Sequence, residues 1–159
     1  MTTKIVNFEN HKAVIRKVTF YETEKFKTRA RNPWFSLKEI KERYCFNPHR
    51  RALFEGLKKA VKIFKSAGVK KIYIAGSFVG DCELPNDIDG CWLCVPSVIT
   101  KKIDPVLLDL SKGRQKMKDK YGVDFFLANL IESSTGKPFV KFFQTDRDGK
   151  RKGIIKIKL

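Results

Sequence analysis

The sequence predicts an α/β fold of the α+β type, with a mixed β-sheet covered by helices. Short runs rich in β-branched and aromatic residues alternate with longer segments whose apolar residues recur at helical spacing. Gly, Pro, Asn and Asp separate these segments, as is typical of caps and turns. With 159 residues, 42% of them hydrophobic, the chain is large enough for one core and a single globular domain.

Residues 1–49 are interpreted as a basic N-terminal extension that packs on the core, and residues 50–159 as the main domain. Within the extension, residues 13–21 (AVIRKVTFY) have the composition of a β-strand. Ser36 and Glu39 form a capping-box pattern, which predicts a short helix after Ser36.

A longer helix is predicted to begin at Asn47-Pro48, as the N-cap and first helical residue, and to end before Gly68. Arg50 and Arg51, near its start, are interpreted as surface charges. Its apolar face is predicted from residues at helical spacing: Leu53, Leu57, Ala60, Val61 and Phe64.

Four later segments have the β-branched and aromatic content of strands: residues 70–75, 87–95, 123–127 and 153–159. Between the second and third of them, Asp104-Pro105 predicts a single helix that ends at Gly122, with its basic residues between 112 and 120 facing outward. A short helix is predicted after Pro138, with Phe142 and Phe143 in the core rather than on a base-stacking surface.

The charge indicates a polyanionic partner. The chain has 34 Lys and Arg against 17 Asp and Glu, a net charge of +17 and a pI near 9.9. Such a field attracts nucleic acid before acidic proteins or membranes, although a lysine-rich surface without a partner gives the same composition. No apolar run approaches the length of about 18 residues that a membrane span needs, and no signal peptide is recognised, so a cytoplasmic protein without membrane contact is expected.

The four cysteines fit a reducing compartment, since their spacing indicates no disulfide framework. Cys91 and Cys94 match a C-x-x-C pattern, but the chain has only two histidines to complete a zinc site. They are interpreted as buried small hydrophobic residues.

A group of acids stands out in this basic chain. Residues 76–99 contain no Lys or Arg, but they include Asp81, Glu83, Asp87 and Asp89. In an extended segment, positions 87 and 89 face the same side, so their two carboxylates point to one place. Two close carboxylates need a cation between them, and Mg²⁺ or Mn²⁺ is the expected ion because both prefer hard oxygen ligands.

Two further features extend this candidate site. Gly76 ends a predicted strand, where the absence of a Cβ lets a phosphate approach the backbone, and the Ser77 hydroxyl is a donor for phosphate oxygens. Asp124, in the third predicted strand, is placed to bring another carboxylate beside Asp87 and Asp89.

These residues carry a resemblance. A strand ending in Gly-Ser, followed after about ten residues by Asp-x-Asp, resembles the signature of the DNA polymerase β-like nucleotidyltransferase superfamily. Its smallest members are the minimal nucleotidyltransferases of bacterial toxin–antitoxin and mobile-element loci. The segment GSFVGDCELPNDIDG, with VDFFLA and FFQTDRDGKRKGI downstream, is similar to an uncharacterised prokaryotic family of that superfamily.

The resemblance implies a role for each motif residue. Gly76 and Ser77 would hold the triphosphate of an NTP, Asp87 and Asp89 would bind two Mg²⁺ ions, and Asp124 would complete the catalytic metal site and help to activate the attacking hydroxyl. The reaction would be transfer of a nucleoside monophosphate to an acceptor with release of pyrophosphate.

Three functions remain open at this point. The charge favours transfer to an RNA 3′ end, such as that of a tRNA. AMP transfer onto a partner protein encoded nearby is a second possibility. The third is a catalytically silent module of the same fold that binds RNA or protein.

Overall fold

The structure, a computed structural model, describes residues 34–111 and 113–159. Its strands and helices run in the order β1 (Trp34–Phe35), α1 (Leu37–Tyr44), α2 (Pro48–Ser66), β2 (Ile72–Ala75), β3 (Ile88–Trp92), α3 (Gln115–Tyr121), β4 (Val123–Leu127), α4 (Phe139–Phe142) and β5 (Ile155–Ile157). The strand predicted over residues 13–21 lies outside the described residues. No helix in the described part of the chain is long and apolar enough to cross a bilayer.

The strands form one mixed sheet, in the order β1-β5-β2-β3-β4. Strand β2 is antiparallel to both β3 and β5, whereas the pairs β3–β4 and β1–β5 are parallel. The predicted α/β class with a mixed sheet and covering helices is therefore confirmed. The described end of the N-terminal region contributes an edge strand, β1, to this sheet.

Local cap chemistry places the first two helices as predicted. The Ser36 side chain accepts a hydrogen bond from the Glu39 amide, and the Glu39 carboxylate accepts one from the Ser36 amide, which completes the capping box at the start of α1. Asn47 caps α2 by accepting from the Arg50 amide. After α2, Gly68 has a φ of 87°, as a glycine directly beyond a helix end commonly does.

The two faces of the sheet are covered by different layers. Helix α2 packs on one face, where Phe64 lies 4.9 Å from Trp92 and 6.1 Å from Phe125 between ring centroids. Each fully buried aromatic or aliphatic side chain there contributes about 1.5–3 kcal/mol. The second face has a smaller core around α4, whose members are Ala75, Cys91, Ala128, Phe139, Val140, Phe143 and Ile154.

Cys91, Cys94 and the phenylalanines after Pro138 agree with the sequence interpretation. Cys91 and Cys94 are buried free thiols, and burial raises the pKa of Cys94 to about 11. Phe143 is buried and Phe142 packs against the same cluster.

The single helix predicted from Asp104 to Gly122 is wrong. One turn of 3₁₀ helix, Pro105–Leu108, is followed by a loop, and α3 begins only at Gln115. Gly113 and Arg114 have φ values of 87° and 44°, so the backbone passes through left-handed conformations that interrupt a helix. After the break, α3 packs against α2 and β4.

Candidate active site

The sheet register brings two of the predicted carboxylates side by side. Ala75 in β2, Asp89 in β3 and Asp124 in β4 are direct neighbours across the three strands. Residues opposite one another in a sheet project from the same face, so Asp89 and Asp124 share the face that α4 partly covers. Asp124 is 7% exposed.

Asp87 joins this pair from the residue before β3. The ammonium of Lys118, on α3, lies 2.9 Å from Asp87 Oδ2 and 3.1 Å from Asp124 Oδ2. One cationic group therefore bridges the carboxylates at positions 87 and 124. We call Asp87, Asp89 and Asp124 the carboxylate cluster.

Gly76 is in direct contact with this cluster. Its φ is 71°, and a Cβ built on it would lie 2.0 Å from Asp89 Oδ2. The position therefore requires glycine both for its backbone conformation and for the space that the Asp89 carboxylate occupies. Ser77 follows as the first residue of a 3₁₀ turn, Ser77–Val79, and is exposed beside the cluster.

The surroundings of Asp89 disfavour its ionised form. Burial, together with the negative charges of Asp87 and Asp124, raises the pKa of Asp89 to about 6 against the opposing positive charges of Lys118 and Lys152. Such a group favours either a proton or an additional cation.

Arg114 supplies a second cation. Its guanidinium donates to Asp124 through Nε and, at 3.2 Å, through Nη2, and it lies 3.9 Å from the centroid of the Phe126 ring. The prediction that the basic residues of this segment face outward is wrong for Arg114 and Lys118. They are one helical turn apart, and both reach the carboxylate cluster.

The three carboxylates of the cluster are chemically suited to a divalent metal, because they are hard oxygen ligands. The raised pKa of Asp89 also shows that the nearby lysines do not fully offset the negative charge there. As the side chains stand, however, no group of three or more His, Cys, Asp or Glu within residues 34–111 and 113–159 is arranged to hold an ion. Lys118 and Arg114 already contact Asp87 and Asp124. A metal would have to displace at least the Lys118 ammonium.

The sequence interpretation of Arg50 as a surface charge is also wrong. Arg50 is 0% exposed, and its guanidinium lies 4.5 Å from the centroid of Phe46 and 4.8 Å from that of Phe78. It donates to the carbonyl oxygens of Tyr44, Phe78 and Cys82. The last two belong to the loop between Ser77 and Asp87.

The N-cap residue Asn47 and His49, in the first turn of α2, also form hydrogen bonds with this loop. Asn47 Nδ2 donates to the Glu83 carbonyl at 2.8 Å, and the His49 Nε2–H donates to the Pro85 carbonyl at 2.6 Å. We call residues 77–86 the Arg50 loop. The start of α2 thus fixes the segment that connects the predicted phosphate-binding serine to the first predicted carboxylate.

Periodicity contains the signal that would have found these cations. Arg50 continues the buried stripe of α2, which includes Phe54 and Leu57 at spacings of four and three residues. Arg114 precedes the buried Met117 by three residues in the same way. A charge on an apolar stripe is expected to have a buried partner.

A family profile matches residues 21–158, which include the carboxylate cluster and the Arg50 loop. The chain belongs to DUF6932, a family of unknown function. No curated protein and no solved structure matches it. Membership of DUF6932 assigns no chemistry to the chain.

Proposed function

We propose that the chain is a nucleotidyltransferase that moves a nucleoside monophosphate from an NTP to an acceptor hydroxyl. The observation that carries the proposal is the convergence of three carboxylates next to a Gly-Ser turn. Asp89 and Asp124 are register partners, Asp87 is bridged to Asp124 by Lys118, and Gly76 abuts Asp89. This set agrees with the resemblance to the DNA polymerase β-like superfamily.

Each residue has a role that its position supports. The exposed Ser77 hydroxyl and the backbone amides of its turn are donors for phosphate oxygens. The carboxylate cluster would hold Mg²⁺ or Mn²⁺, which when bound would stabilise charge on the entering and leaving oxygens. Asp124 would orient the acceptor hydroxyl, whose proton passes to solvent as its oxygen bonds to the α-phosphorus and the bond between that phosphorus and pyrophosphate breaks.

An RNA 3′ end, such as that of a tRNA, is the acceptor that the charge favours. All 34 Lys and Arg residues lie outside residues 76–99, so the acidic segment belongs to an otherwise strongly basic chain. A polyanion is attracted to such a protein, and its affinity falls as salt rises because bound counterions are released. Transfer of AMP onto a protein partner in a toxin–antitoxin setting uses the same site with a different acceptor.

A second function is favoured by a specific observation. Lys118 and Arg114 pair with Asp87 and Asp124 through close ion pairs. A catalytically silent module that binds RNA or protein would retain such pairs as structural contacts. Metal binding separates the two functions, since only the enzyme needs the ion pairs to open.

The test is incorporation of α-labelled NTP into total RNA, or into co-purified protein, by the wild type and by Asp124→Asn. Asn is nearly isosteric, so the change removes charge with little loss of packing. We expect transfer to fall by about a hundredfold or more while NTP binding is largely retained, because the lost interaction belongs to the transition state.

The matched control is Asp81→Asn, an exposed carboxylate in the Arg50 loop. Its activity should equal that of the wild type. Equal labelling by Asp124→Asn and wild type would show that Asp124 is structural. A wild type that labels no acceptor and binds no metal would favour the silent module.

A further inference from the structure

A strip of aromatic and basic side chains crosses the sheet on the face that carries Asp89 and Asp124. Trp34 in β1, Lys156 in β5 and Tyr73 in β2 are direct register partners across three neighbouring strands. Tyr73 precedes Ala75 by two residues, so this row is adjacent to the row of Ala75, Asp89 and Asp124 and projects from the same face. Trp34 is 51% exposed.

Within residues 34–111 and 113–159, the basic part of this strip has no carboxylate partner. The Lys156 ammonium lies 3.4 Å from the centroid of the Trp34 ring and 6.0 Å from that of Tyr73. Burial lowers the pKa of Lys156, and the nearby positive charge of Lys71 lowers it further. Neither lysine forms an ion pair with any carboxylate of the described residues.

Two neighbouring ammonium groups that pair with no carboxylate in the described part of the chain attract an anion, and the exposed indole of Trp34 beside them offers a flat apolar surface. We propose that Trp34, Lys71, Tyr73 and Lys156, which we call the Trp34 strip, bind single-stranded nucleic acid. A base stacks on the exposed part of Trp34, and the flanking phosphates lie against Lys71 and Lys156. Positively charged surfaces with interleaved aromatic rings bind single strands in this way, because every base has a π-face.

A short single-stranded nucleic acid is long enough to reach from the Trp34 strip to the carboxylate cluster. Trp34 is three strand spacings from Asp89, or about 14 Å, and two residues along the strand, or about 7 Å. Lys152 is close enough to Asp89 for its charge to act on that carboxylate. A bound nucleic-acid strand that reaches Asp89 would therefore meet a further cation there.

Only the direction of the bound nucleic acid, with its 3′ end toward Asp89, rests on the proposed function. Binding itself requires no transfer. A duplex is a poor occupant, because its bases are already stacked on one another and do not present a face to Trp34.

The probe is a single-stranded RNA of about twelve nucleotides, a length within the range of site sizes for strand-binding domains. Tryptophan fluorescence reports on stacking, since Trp34 is exposed and Trp92, 1% exposed in the core, supplies a constant background. We expect the RNA to quench the Trp34 emission of the wild type and to leave the remaining emission of Trp34→Phe unchanged.

Affinity is measured in parallel by fluorescence anisotropy of a labelled RNA. Trp34→Ala should bind about 5- to 100-fold more weakly, while Trp34→Phe retains most of the affinity because a ring remains. Lys156→Gln should reduce the slope of log affinity against log salt by about 0.7. The matched control is Lys62→Gln, an exposed lysine on α2 at the opposite face of the sheet, which makes the same change in net charge.

Three results would overturn the proposal: equal affinity of Trp34→Ala and the wild type, equal weakening by Lys62→Gln and Lys156→Gln, or duplex RNA bound as tightly as the single strand. Wild-type Trp34 emission that RNA does not change would also overturn it, and would indicate that protein covers the strip.

Failure of the proposed function gives a different pattern. A protein that transfers no label but still binds single-stranded RNA through Trp34 would support the Trp34 strip as a binding site and contradict the proposed enzymatic function. A protein that labels RNA equally well with and without Trp34 retains the enzyme and loses the strip.

Discussion

Arg50 and Arg114 both bring a guanidinium group to the candidate site, but they meet different partners there. Arg50 donates only to backbone carbonyl oxygens of α1 and the Arg50 loop, between two aromatic rings. Arg114 donates to the carboxylate of Asp124, beside the bridge that Lys118 makes to Asp87.

These partners distinguish a fixed part of the site from a part that can exchange ions. The carbonyl oxygens of Phe78 and Cys82 face the fully buried guanidinium of Arg50, so losing Arg50 leaves them without their donor. Carboxylates can exchange one cation for another, and the Asp87–Lys118 pair is partly exposed to solvent. We therefore expect the Arg50 loop to be rigid and the carboxylate cluster to respond to pH, salt and metal.

The largest effect is expected at Arg50. Arg50→Met keeps much of the side-chain length but leaves the Phe78 and Cys82 carbonyls without their donor. The free energy of unfolding should fall by about 3 kcal/mol, measured by urea denaturation. The neighbouring exposed residue gives the control, because Arg51→Met should stay within about 0.5 kcal/mol of the wild type.

An equal, small loss of stability in Arg50→Met and Arg51→Met would contradict this expectation, since it would mean that the loop does not depend on Arg50. Arg50→Lys separates the effect of the charge from that of the guanidinium geometry. Lysine retains the charge but presents one ammonium in place of a planar fork, so it should recover only part of the lost stability.

A smaller effect is expected from the pH dependence of Asp89. The folded protein retains the Asp89 proton up to about pH 6, whereas the unfolded chain releases it near the ordinary pKa of 3.8. Stability in metal-free buffer should therefore fall as the pH rises between these values. Asp89→Asn removes this loss and should be more stable than the wild type above pH 6, by about 1–2 kcal/mol after allowance for partial solvent screening.

Thermal or urea unfolding across pH 4 to about 8 measures the difference between Asp89→Asn and the wild type. The difference should grow between about pH 4 and 6 and stay level above that. Asp81→Asn, at an exposed carboxylate, should show no such trend. A difference for Asp89→Asn that is the same at every pH would mean that the cluster does not raise the pKa of this carboxyl.

The smallest effect is expected at Lys118, whose ammonium competes with a metal for Asp87 and Asp124. Lys118→Met should bind Mn²⁺ about fivefold more tightly in the absence of nucleotide, which corresponds to about 1 kcal/mol for a partly exposed ion pair. Titration calorimetry measures this directly and requires no activity.

Lys120→Met is the matched control on the same helix, because Lys120 pairs with Asp104 away from the cluster. Its Mn²⁺ affinity should equal that of the wild type. If neither lysine variant nor the wild type binds Mn²⁺, the cation pairs are permanent and the silent module is the better account of the site.

Much of the fold was predictable because its determinants are local. Ser36 and Asn47 mark helix starts through hydrogen bonds to amides three residues away, and Gly122 ends α3 with a φ of 61°. The one misplaced helix also has a local reason. Gly113 alone permits an ordinary turn, and nothing nearby in sequence indicates that Arg114 adopts a left-handed conformation in order to reach Asp124.

The amino-acid sequence predicted a mixed sheet, the order of the elements from α1 to β5, and the pattern of Gly76, Ser77, Asp87, Asp89 and Asp124 on which the nucleotidyltransferase proposal rests, but not strand β1. Only the tertiary structure decided that Asp124 lies beside Asp89, that Arg114 and Lys118 reach the carboxylate cluster, and that Arg50 is buried under the Arg50 loop. The physical reason is that caps, turns and periodicity act over a few residues. The partner of a buried charge, in contrast, is set by strand register and helix packing between residues as far apart as Arg50 and Cys82.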